Sequence, residues 1–216
     1  MKVIICGYKG KMGSLIHKKL VNIKTFEIIG LVDKNTKPLS ELIKKKPDVV
    51  IDFTNAETCF NHALICLKNN INFLSGATGL KTNEIKYLNK LAKERELSFI
   101  ISSNFSIGVN ALYKSLPYIS RCFNDILIEE HHHISKLDAP SGTALELKKK
   151  LGIKDIKITS YRSEEGQIYH QITFRNKNEI ITIKHQTLSR STYVDGVIYC
   201  LSKIGTFKGL KQTINF

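Results

Sequence analysis

The sequence has few of the features that mark membrane, secreted or repetitive proteins. It contains no tryptophan, four prolines and five cysteines in 216 residues. No apolar run approaches the ~20 residues of a membrane-spanning helix, so we expect no membrane association. The cysteines are odd in number, scattered and without a CxxC pair, which predicts reduced thiols and a cytoplasmic protein. The first strand runs directly into glycines, so we also expect no signal peptide.

Acidic residues are scarce beside basic ones. The chain has 19 Asp and Glu against 33 Lys and Arg, which gives a formal net charge of +14 at pH 7. Such a charge raises the hypothesis of a nucleic-acid partner. Only five of the basic residues are arginine, however, and direct base readout favours arginine. The lysines are dispersed apart from residues 44–46 and 148–150, so we expect no nucleic acid and a field that suits small anions.

The chain opens with an apolar strand, a glycine-rich turn and a helical pattern. Lys2–Cys6 leads into Gly7-Tyr8-Lys9-Gly10-Lys11-Met12-Gly13, a helical pattern covers residues 14–21, and an apolar run at 27–32 ends at Asp33. Glycines let the backbone approach a pyrophosphate closely, while the helix N-terminus faces its charge. Asp33 follows Gly13 by 20 residues, the spacing of a ribose contact. The pattern favours a dinucleotide site, and the alternative is a plain tight turn before a helix.

Two side chains at the end of the second strand bear on the choice of cofactor. Asp33 could accept hydrogen bonds from both hydroxyls of an adenosine ribose, which favours NADH. Lys34 comes next in the sequence and could contact the 2′-phosphate of NADPH. The sequence therefore predicts NADH, NADPH or both as the cofactor.

Strands and helices continue to alternate through the first half of the chain. Strands are predicted at 48–53, 71–74 and 97–101, and helices at 56–68 and 82–96. Repeated strand–helix units predict an α/β fold with a Rossmann-like, doubly wound parallel sheet, whose ligands lie at the carboxyl ends of the strands. Thr54 also falls at such an end. The candidate cofactor-binding residues there are Gly7, Tyr8, Lys9, Gly10, Lys11, Met12, Asp33, Lys34, Gly76, Ala77, Thr78, Ser102, Ser103, Asn104 and Phe105.

After a predicted helix at 107–123 the pattern changes to β. Strands predicted at 155–161, 168–174 and 180–185 follow one another without long helices between them. This favours a second, α+β domain with an open mixed sheet. A last helix at 194–204 could return to the first domain. The predicted domains are residues 1–105 with 192–216 returning, and residues 106–191.

The stretch from Glu130 to Ala144 carries the densest group of titratable side chains. It continues a predicted strand at 126–132 and leads into a predicted helix at 141–151. Three adjacent histidines suggest a metal ion, but alternation along a strand puts His131 and His133 on one face and His132 on the other. No Cys or HExxH pattern accompanies them, so we expect no metal. His131 is expected to be a structural or surface residue.

The same stretch offers the parts needed to bind an anion and protonate it. His132 titrates near neutrality, and Lys136 supplies charge and a proton, so these two are the proton-transfer candidates. Ser141, Gly142 and Thr143 open a helix, and their backbone N–H groups and hydroxyls can bind a substrate carboxylate. The alternative is a helix cap without a ligand.

These residues resemble the signature of the 4-hydroxy-tetrahydrodipicolinate reductases, formerly called dihydrodipicolinate reductases. The histidine run with Lys136 and the motif Asp138-Ala139-Pro140-Ser141-Gly142-Thr143-Ala144 carries the resemblance. The turn Gly7–Gly13 is similar to the family's cofactor loop, and residues 51–54, 76–79 and 104–108 match its later loops. The likeness covers nearly the whole chain.

The resemblance implies an oxidoreductase of the diaminopimelate route to lysine. Its first domain would bind NADH or NADPH, and its second would bind a cyclic imine dicarboxylate and form a homotetramer. Hydride would pass to the substrate ring, with loss of the 4-hydroxyl as water. His132 falls on the family's proton donor and Lys136 on its second acid. His133, Gly142 and Thr143 fall on substrate-carboxylate contacts, which Ser141 joins as part of the same turn.

The chain departs from the family pattern in three places. It is short between Asp33 and Pro47, so the adenine side of the cofactor site would be more open. Ser163–Tyr169 replaces a glycine-rich turn, and Ala77 stands where threonine is more usual.

A regular strand through His133 would point His132 and His133 to opposite faces. For both side chains to reach one ligand, we expect the strand to end or bend there.

Two other functions compete with the reductase. One is another NAD(P)-dependent amino-acid or imine dehydrogenase with the same two-domain plan. The other is a nucleotide-sensing or nucleic-acid-binding protein that uses the basic surface, for which His132 and Lys136 would not be needed.

Overall fold

The computed structural model describes residues 1–153, 155–164 and 167–212. The chain divides into two units. Unit 1 comprises Met1–Phe105 and the segment that begins at Tyr193, and unit 2 comprises Ser106–Thr192.

Strands and helices alternate through unit 1, and strands dominate unit 2. In chain order the elements are β1 (Lys2–Cys6), α1 (Lys11–Leu20), β2 (Glu27–Val32), α2 (Leu39–Leu42), β3 (Val49–Asp52), α3 (Ala56–Lys68), β4 (Asn72–Ser75), α4 (Thr82–Glu94), β5 (Ser98–Ile101), α5 (Ile107–Ile119), β6 (Asp125–His133), α6 (Gly142–Leu151), β7 (Lys157–Ser163), β8 (Ile168–Arg175), β9 (Ile180–Thr187), α7 (Ser191–Ser202) and β10 (Gly209–Lys211). Short 3-10 helices, Ile43–Lys45 and Ser120–Cys122, follow α2 and α5.

The sheet of unit 1 has six described strands in the order β10-β5-β4-β3-β1-β2. Every neighbouring pair is parallel. One core cluster contains residues of α3 and α4, such as Leu67 and Leu88, and the other contains residues of α1 and α7, such as Ile16 and Val197. All four residues of β3 are buried, as expected for a strand covered on both faces. The predicted doubly wound parallel sheet is confirmed.

Some boundaries in unit 1 differ from those predicted. Helix α1 begins at Lys11 rather than at residue 14, so Gly13 lies in its first turn. The short α2 and the edge strand β10, which pairs with β5, were not predicted. β10 has only three residues, too few for a periodic pattern.

The sheet of unit 2 has the order β7-β6-β8-β9. β6 and β7 are parallel, whereas β8 is antiparallel to both β6 and β9. Helices α5 and α6 pack against the sheet through Leu116 and Leu147, which share a core cluster with Ile128, Ile172 and Phe174. The predicted open mixed sheet is confirmed. The described part of the chain contains no helix long and apolar enough to cross a membrane.

Candidate active site

The glycine-rich turn brings the backbone of α1 against the end of β1. Gly7 has φ +76°, a left-handed conformation that favours glycine, and its carbonyl accepts a hydrogen bond from the Gly10 N–H at 3.0 Å. A Cβ on Gly13 would lie 2.1 Å from the Gly7 carbonyl oxygen. Only glycine therefore permits this close approach, and the N-terminus of α1 stays open to a bound phosphate.

A cavity of about 480 Å³ lies beside this turn at the carboxyl ends of β1, β2 and β3. Four of the residues predicted to bind the cofactor line it: Gly7, Gly10, Asp33 and Lys34. The short region after Asp33 also contributes, since Thr36, Pro38 and Leu39 line the cavity. The cavity thus has room and acceptors for part of a dinucleotide.

Sequence reasoning missed the wall of the cavity that α3 supplies. Asn55, Thr58 and His62 line it together with Thr54 and Phe53. Asn55 caps α3 by accepting the Thr58 N–H at 3.0 Å. The spacing of Asn55, Thr58 and His62 places three polar side chains on one helix face, and this signal was available in the sequence.

A buried carboxylate holds two of these lining residues. Asp52 is fully buried at the end of β3, and its Oδ2 lies 2.6 Å from Nδ1 of His62. Its Oδ1 accepts hydrogen bonds from the backbone N–H and the hydroxyl of Thr54, at 2.9 and 2.7 Å. Asp52 therefore fixes polar groups on the cavity wall without lining the cavity itself.

The remaining candidate cofactor residues follow strands of the same sheet but differ in exposure. Ala77 and Phe105 are buried in the two core clusters. Ser102 is buried and its hydroxyl bonds the Asn104 carbonyl. The exposed residues are Lys9, Lys11, Thr78 and Ser103, and the half-buried ones are Tyr8, Met12, Gly76 and Asn104. The exposed and half-buried residues could therefore contact a ligand, whereas the side chains of Ala77 and Phe105 pack in the core.

Strand β6 separates the three histidines. Its pairing with β7 runs without a register shift through His133, and burial alternates along it. His132 is buried on the same side as Glu130, whereas His131 is half-buried and His133 is exposed on the other side. We expected the strand to end or bend here: it ends at His133 but stays regular through that residue, so no bend brings His132 and His133 to one face.

The two outer histidines have local partners. His131 lies 2.8 Å from the Gln167 carbonyl and 3.0 Å from the Ser163 hydroxyl, and it stacks on Tyr169. His133 Nδ1 lies 2.7 Å from the Ser135 hydroxyl. Neither His131 nor His133 shares the face of β6 on which His132 lies.

Glu130 is the centre of the polar cluster on the inner side of β6. One oxygen, Oε1, accepts hydrogen bonds from the Ser141 N–H and from Arg162 Nη2, both at 3.0 Å. The other, Oε2, lies 3.2 Å from His132 Nδ1 and 3.8 Å from His170 Nε2. Burial raises the pKa of Glu130, but hydrogen bonds from Ser141, Ser160 and Arg162 outweigh it and lower the pKa to about 2. The group is therefore a buried carboxylate at neutral pH.

Both buried histidines of this cluster are poor bases. Burial lowers the pKa of His132, and the negative charge of Glu130 only partly opposes it. Burial, followed by the nearby His132, lowers the pKa of His170 to about 4. The ligand-free cluster thus combines one anion with two neutral imidazoles at neutral pH.

A charged loop follows β6. Lys136 Nζ donates to Asp138 Oδ1 at 2.8 Å, and this hydrogen bond lowers the pKa of Asp138. Arg162 donates to the carbonyls of Lys136 and Asp138, at 3.3 and 2.6 Å, besides its bond to Glu130. Arg162 therefore ties the loop to the buried cluster, a role that sequence reasoning did not predict.

The start of α6 joins the same cluster. Ser141 caps the helix, since its hydroxyl accepts the Ala144 N–H at 3.2 Å, and the hydroxyl also lies 3.2 Å from His170 Nε2. Gly142 is exposed, and a Cβ there would meet nothing within 4 Å. Thr143 is half-buried. The helix dipole gives this first turn an anion-binding end, at which the Gly142 N–H bonds the Asp138 carboxylate.

Donor atoms that could share an ion occur in two groups of described residues. They are Cys6, Asp52 and His62 in unit 1, and Glu130, His132 and His170 in unit 2. The second group differs from the triplet of adjacent histidines that the sequence suggested, because it contains His132 but neither His131 nor His133. Arg162 lies against Glu130 on its other side and opposes a dication there.

Models of one family match both halves of the chain. A model described as dihydrodipicolinate reductase, N-terminus, matches residues 1–105, and one described as dihydrodipicolinate reductase, C-terminus, matches residues 108–215. These matches cover more than half of the chain.

Relatives and a solved structure agree with these models. A 4-hydroxy-tetrahydrodipicolinate reductase of Thermosipho africanus is 34% identical, covering 99% of this chain and 98% of the relative. One of Methanocaldococcus jannaschii is 31% identical, covering 100% and 96%. The solved dipicolinate-bound dihydrodipicolinate reductase from a Paenisporosarcina species has a TM-score of 0.91 at 26% identity, covering 99% of this chain and 97% of that one. The chain therefore belongs to the dihydrodipicolinate reductase family, the 4-hydroxy-tetrahydrodipicolinate reductases.

Proposed function

We propose that unit 1 holds NADH or NADPH and that unit 2 binds and protonates the cyclic imine dicarboxylate of the family's reaction. The product is tetrahydrodipicolinate, in the diaminopimelate route to lysine. The observation that carries the proposal is the polar cluster of unit 2, in which buried His132 and the N-terminus of α6 are joined through Glu130. An acid and an anion-binding end are the two parts that this substrate requires.

The cofactor site is assigned to the cavity of unit 1 and the turn beside it. Asp33 would accept the ribose hydroxyls, and the backbone of Gly7 and Gly10 would face the pyrophosphate. Lys34 is exposed on the cavity wall, where it would meet a 2′-phosphate, so the site would take NADH, NADPH or both. When bound, the nicotinamide supplies the hydride. No metal is required for this step.

The substrate site is assigned to the turn that begins α6. Ser141, Gly142 and Thr143 would bind one carboxylate at the N-terminus of α6, which the helix dipole favours, with the Gly142 N–H exchanging Asp138 for the substrate. The dipicolinate bound to the solved relative is a planar dicarboxylate and supports this class of ligand. His133 lies on the opposite face of β6 from His132, and its imidazole lies beside the Ser135 hydroxyl. To contact the substrate, the His133 imidazole would have to leave Ser135.

His132 is proposed to donate the proton, with Lys136 as the second acid. Burial keeps the pKa of His132 low in the ligand-free protein. A bound dianion adds negative charge beside the imidazole and raises that pKa, so the donor becomes protonated when substrate is present. One hydride and one proton enter the substrate, and the 4-hydroxyl leaves as water.

The competing functions have less support. Another amino-acid or imine dehydrogenase would share the turn at Gly7–Gly13 but not the segment from Asp138 to Ala144, and the reductase model of the C-terminal half matches residues 108–215, which contain that segment. A nucleic-acid-binding role leaves the buried cluster at Glu130 without a purpose.

A coupled assay tests the reductase reaction. Aspartate semialdehyde, pyruvate and the preceding synthase would generate the substrate in situ, and nicotinamide absorbance would report its reduction. We expect synthase-dependent oxidation of NADH, NADPH or both. No oxidation of either cofactor would refute the proposed reaction.

The domain roles and assembly also belong to the proposal. Residues 1–105 with 192–216 would form the dinucleotide-binding domain, and residues 106–191 the substrate-binding and oligomerisation domain, in a cytoplasmic homotetramer. Light scattering on the protein as it elutes from a size-exclusion column should give a mass four times the 24.5 kDa of the chain.

The altered loop at 163–169 falls partly on Glu165 and Gly166, which lie outside the described residues.

A further inference from the structure

We propose that Glu130 is the positioning residue of the substrate site, because one buried carboxylate holds both the proton donor His132 and the turn at Ser141. The inference rests on the proposed function for its catalytic meaning. Its structural content concerns only the tautomer and protonation of His132, which are measurable without substrate.

Glu130 is a fully buried carboxylate, and a buried charge is costly unless it is paired and hydrogen-bonded. Arg162 supplies the opposite charge and Ser141 a backbone N–H, both on Oε1. The hydroxyls of Ser141 and Ser160 also act on the carboxylate and lower its pKa. Arg162 contacts a single oxygen instead of forming a bidentate pair with both, which leaves Oε2 on the side of the two imidazoles.

Nδ1 of His132 faces Oε2, and the buried Ser160 hydroxyl is a further neighbour of the carboxylate. Nδ1 and Oε2 lie 3.2 Å apart, and both are buried without an aligned hydrogen bond to any described residue. Unsatisfied buried polar atoms are rare, and a small rotation of the imidazole aligns an Nδ1–H with Oε2. The carboxylate therefore selects the tautomer protonated at Nδ1 and reserves Nε2 for proton exchange with the substrate.

The same carboxylate reaches the start of α6. The Ser141 N–H is bonded to Oε1, while the Ser141 hydroxyl caps Ala144 and lies 3.2 Å from His170 Nε2. His170 is buried, and its ring lies edge-on to His132 with centroids 5.3 Å apart. The distance between donor and carboxylate-binding turn is thus set by Glu130 rather than by the exposed loop between them, and such fixed geometry favours reaction.

Charge makes this role testable. Burial lowers the pKa of His132, and four charged residues also act on it. Glu130 and Asp138 raise this pKa, whereas Lys136 and Arg162 lower it. Asp138 is exposed and paired with Lys136, whereas Glu130 is buried beside the imidazole. Removal of the Glu130 charge should therefore lower the pKa of His132 further, and a neutral amide facing Nδ1 should reverse the tautomer.

The test compares Glu130→Gln with Glu129→Gln in the full-length protein. Glu129 is the neighbouring strand residue on the opposite face, where it contacts Tyr161 and Gln171. NMR titration of the histidines without ligands should show the His132 pKa lowered by about one unit or more in Glu130→Gln and unchanged in Glu129→Gln. In the reductase assay, Glu130→Gln should lower kcat by ~10-fold or more and move the alkaline fall of kcat to lower pH, since the donor must be protonated.

The outcomes separate the two proposals. An unshifted His132 titration in Glu130→Gln would overturn the positioning role even if the wild-type protein is an active reductase. A shifted titration in a protein that never oxidises NADH or NADPH would keep the positioning role and remove the proposed reaction. If Glu130→Gln does not fold, Glu130→Asp keeps the charge but withdraws it by one methylene, and an unaltered His132 titration and kcat there would contradict the proposal.

Discussion

At the scale of single residues, burial decides how the titratable groups of unit 2 behave. Glu130 stays ionised because Ser141, Ser160 and Arg162 bond it, although burial opposes its charge. His132 and His170 lie in the same cluster and remain neutral because an imidazolium there would be desolvated. The sequence indicated His132 as the donor, but not that Glu130 of the same strand would hold it together with Arg162 of β7 and His170 of β8.

His170 should make folding stability depend on pH. Its pKa is lowered from 6.5 to about 4 by burial, and then by the nearby His132. Between these values the unfolded chain binds a proton that the folded chain does not, so stability rises with pH, by at most about 1.4 kcal/mol per pH unit for this group. Urea unfolding across the window should show a smaller slope for His170→Gln than for wild type. Equal slopes would contradict the assignment.

Lys34 should discriminate between the two cofactors. Its side chain is exposed on the cavity wall beside Asp33, where a 2′-phosphate would add a charge contact. Lys34→Ala should weaken NADPH binding by about five- to tenfold, ~1 kcal/mol for an exposed pair, and leave NADH nearly unchanged. Calorimetric titration with each cofactor measures this. Lys37→Ala removes a nearby exposed lysine as the control, and equal losses for both cofactors would disprove the 2′-phosphate role.

At the scale of elements, two serine-capped helices of unit 2 allow a matched comparison. The Ser106 hydroxyl accepts the Val109 N–H at the start of α5, as the Ser141 hydroxyl accepts the Ala144 N–H at the start of α6. Ser106→Ala and Ser141→Ala should each cost about 1 kcal/mol in the free energy of unfolding. Only Ser141→Ala should also raise KM for the substrate, several-fold. The same KM in both variants would refute the assignment of α6 as the carboxylate-binding element.

Local sequence patterns predicted most elements because each strand and helix carries its own periodicity. α3 was predicted at its observed bounds, with Asn55 at its start, and β1 and β2 likewise. β10 was missed because its pairing partner β5 is distant in sequence and its three residues carry no pattern. The start of α1 was placed too late because glycines at its first turn weaken the helical signal.

Register explains why the buried cluster could not be predicted. Glu130 is opposite His170 across β6 and β8, and His132 is opposite Arg162 across β6 and β7. A slip of one residue in either pairing would point these side chains to the other face. The sequence shows which residues can do chemistry, whereas the pairing of three strands decides which of them meet.

At the scale of the whole molecule, the family and fold class are established and the roles of particular residues remain predictions. The net charge of +14 suits a protein whose proposed cofactor and substrate are both anions. The fold class followed from the alternation of strands and helices. Neither the charge nor the fold identifies the proton donor, so the site must be tested at His132.

The most direct test compares kcat of His132→Gln with that of His131→Gln in the reductase assay. The two histidines are adjacent in β6 but lie on opposite faces, and His131 is held by Gln167 and Ser163. We predict that His132→Gln lowers kcat by ~10²-fold or more, the usual size of a proton-transfer contribution, and that His131→Gln stays near wild type. An unchanged kcat for His132→Gln would remove His132 from the mechanism and contradict the account.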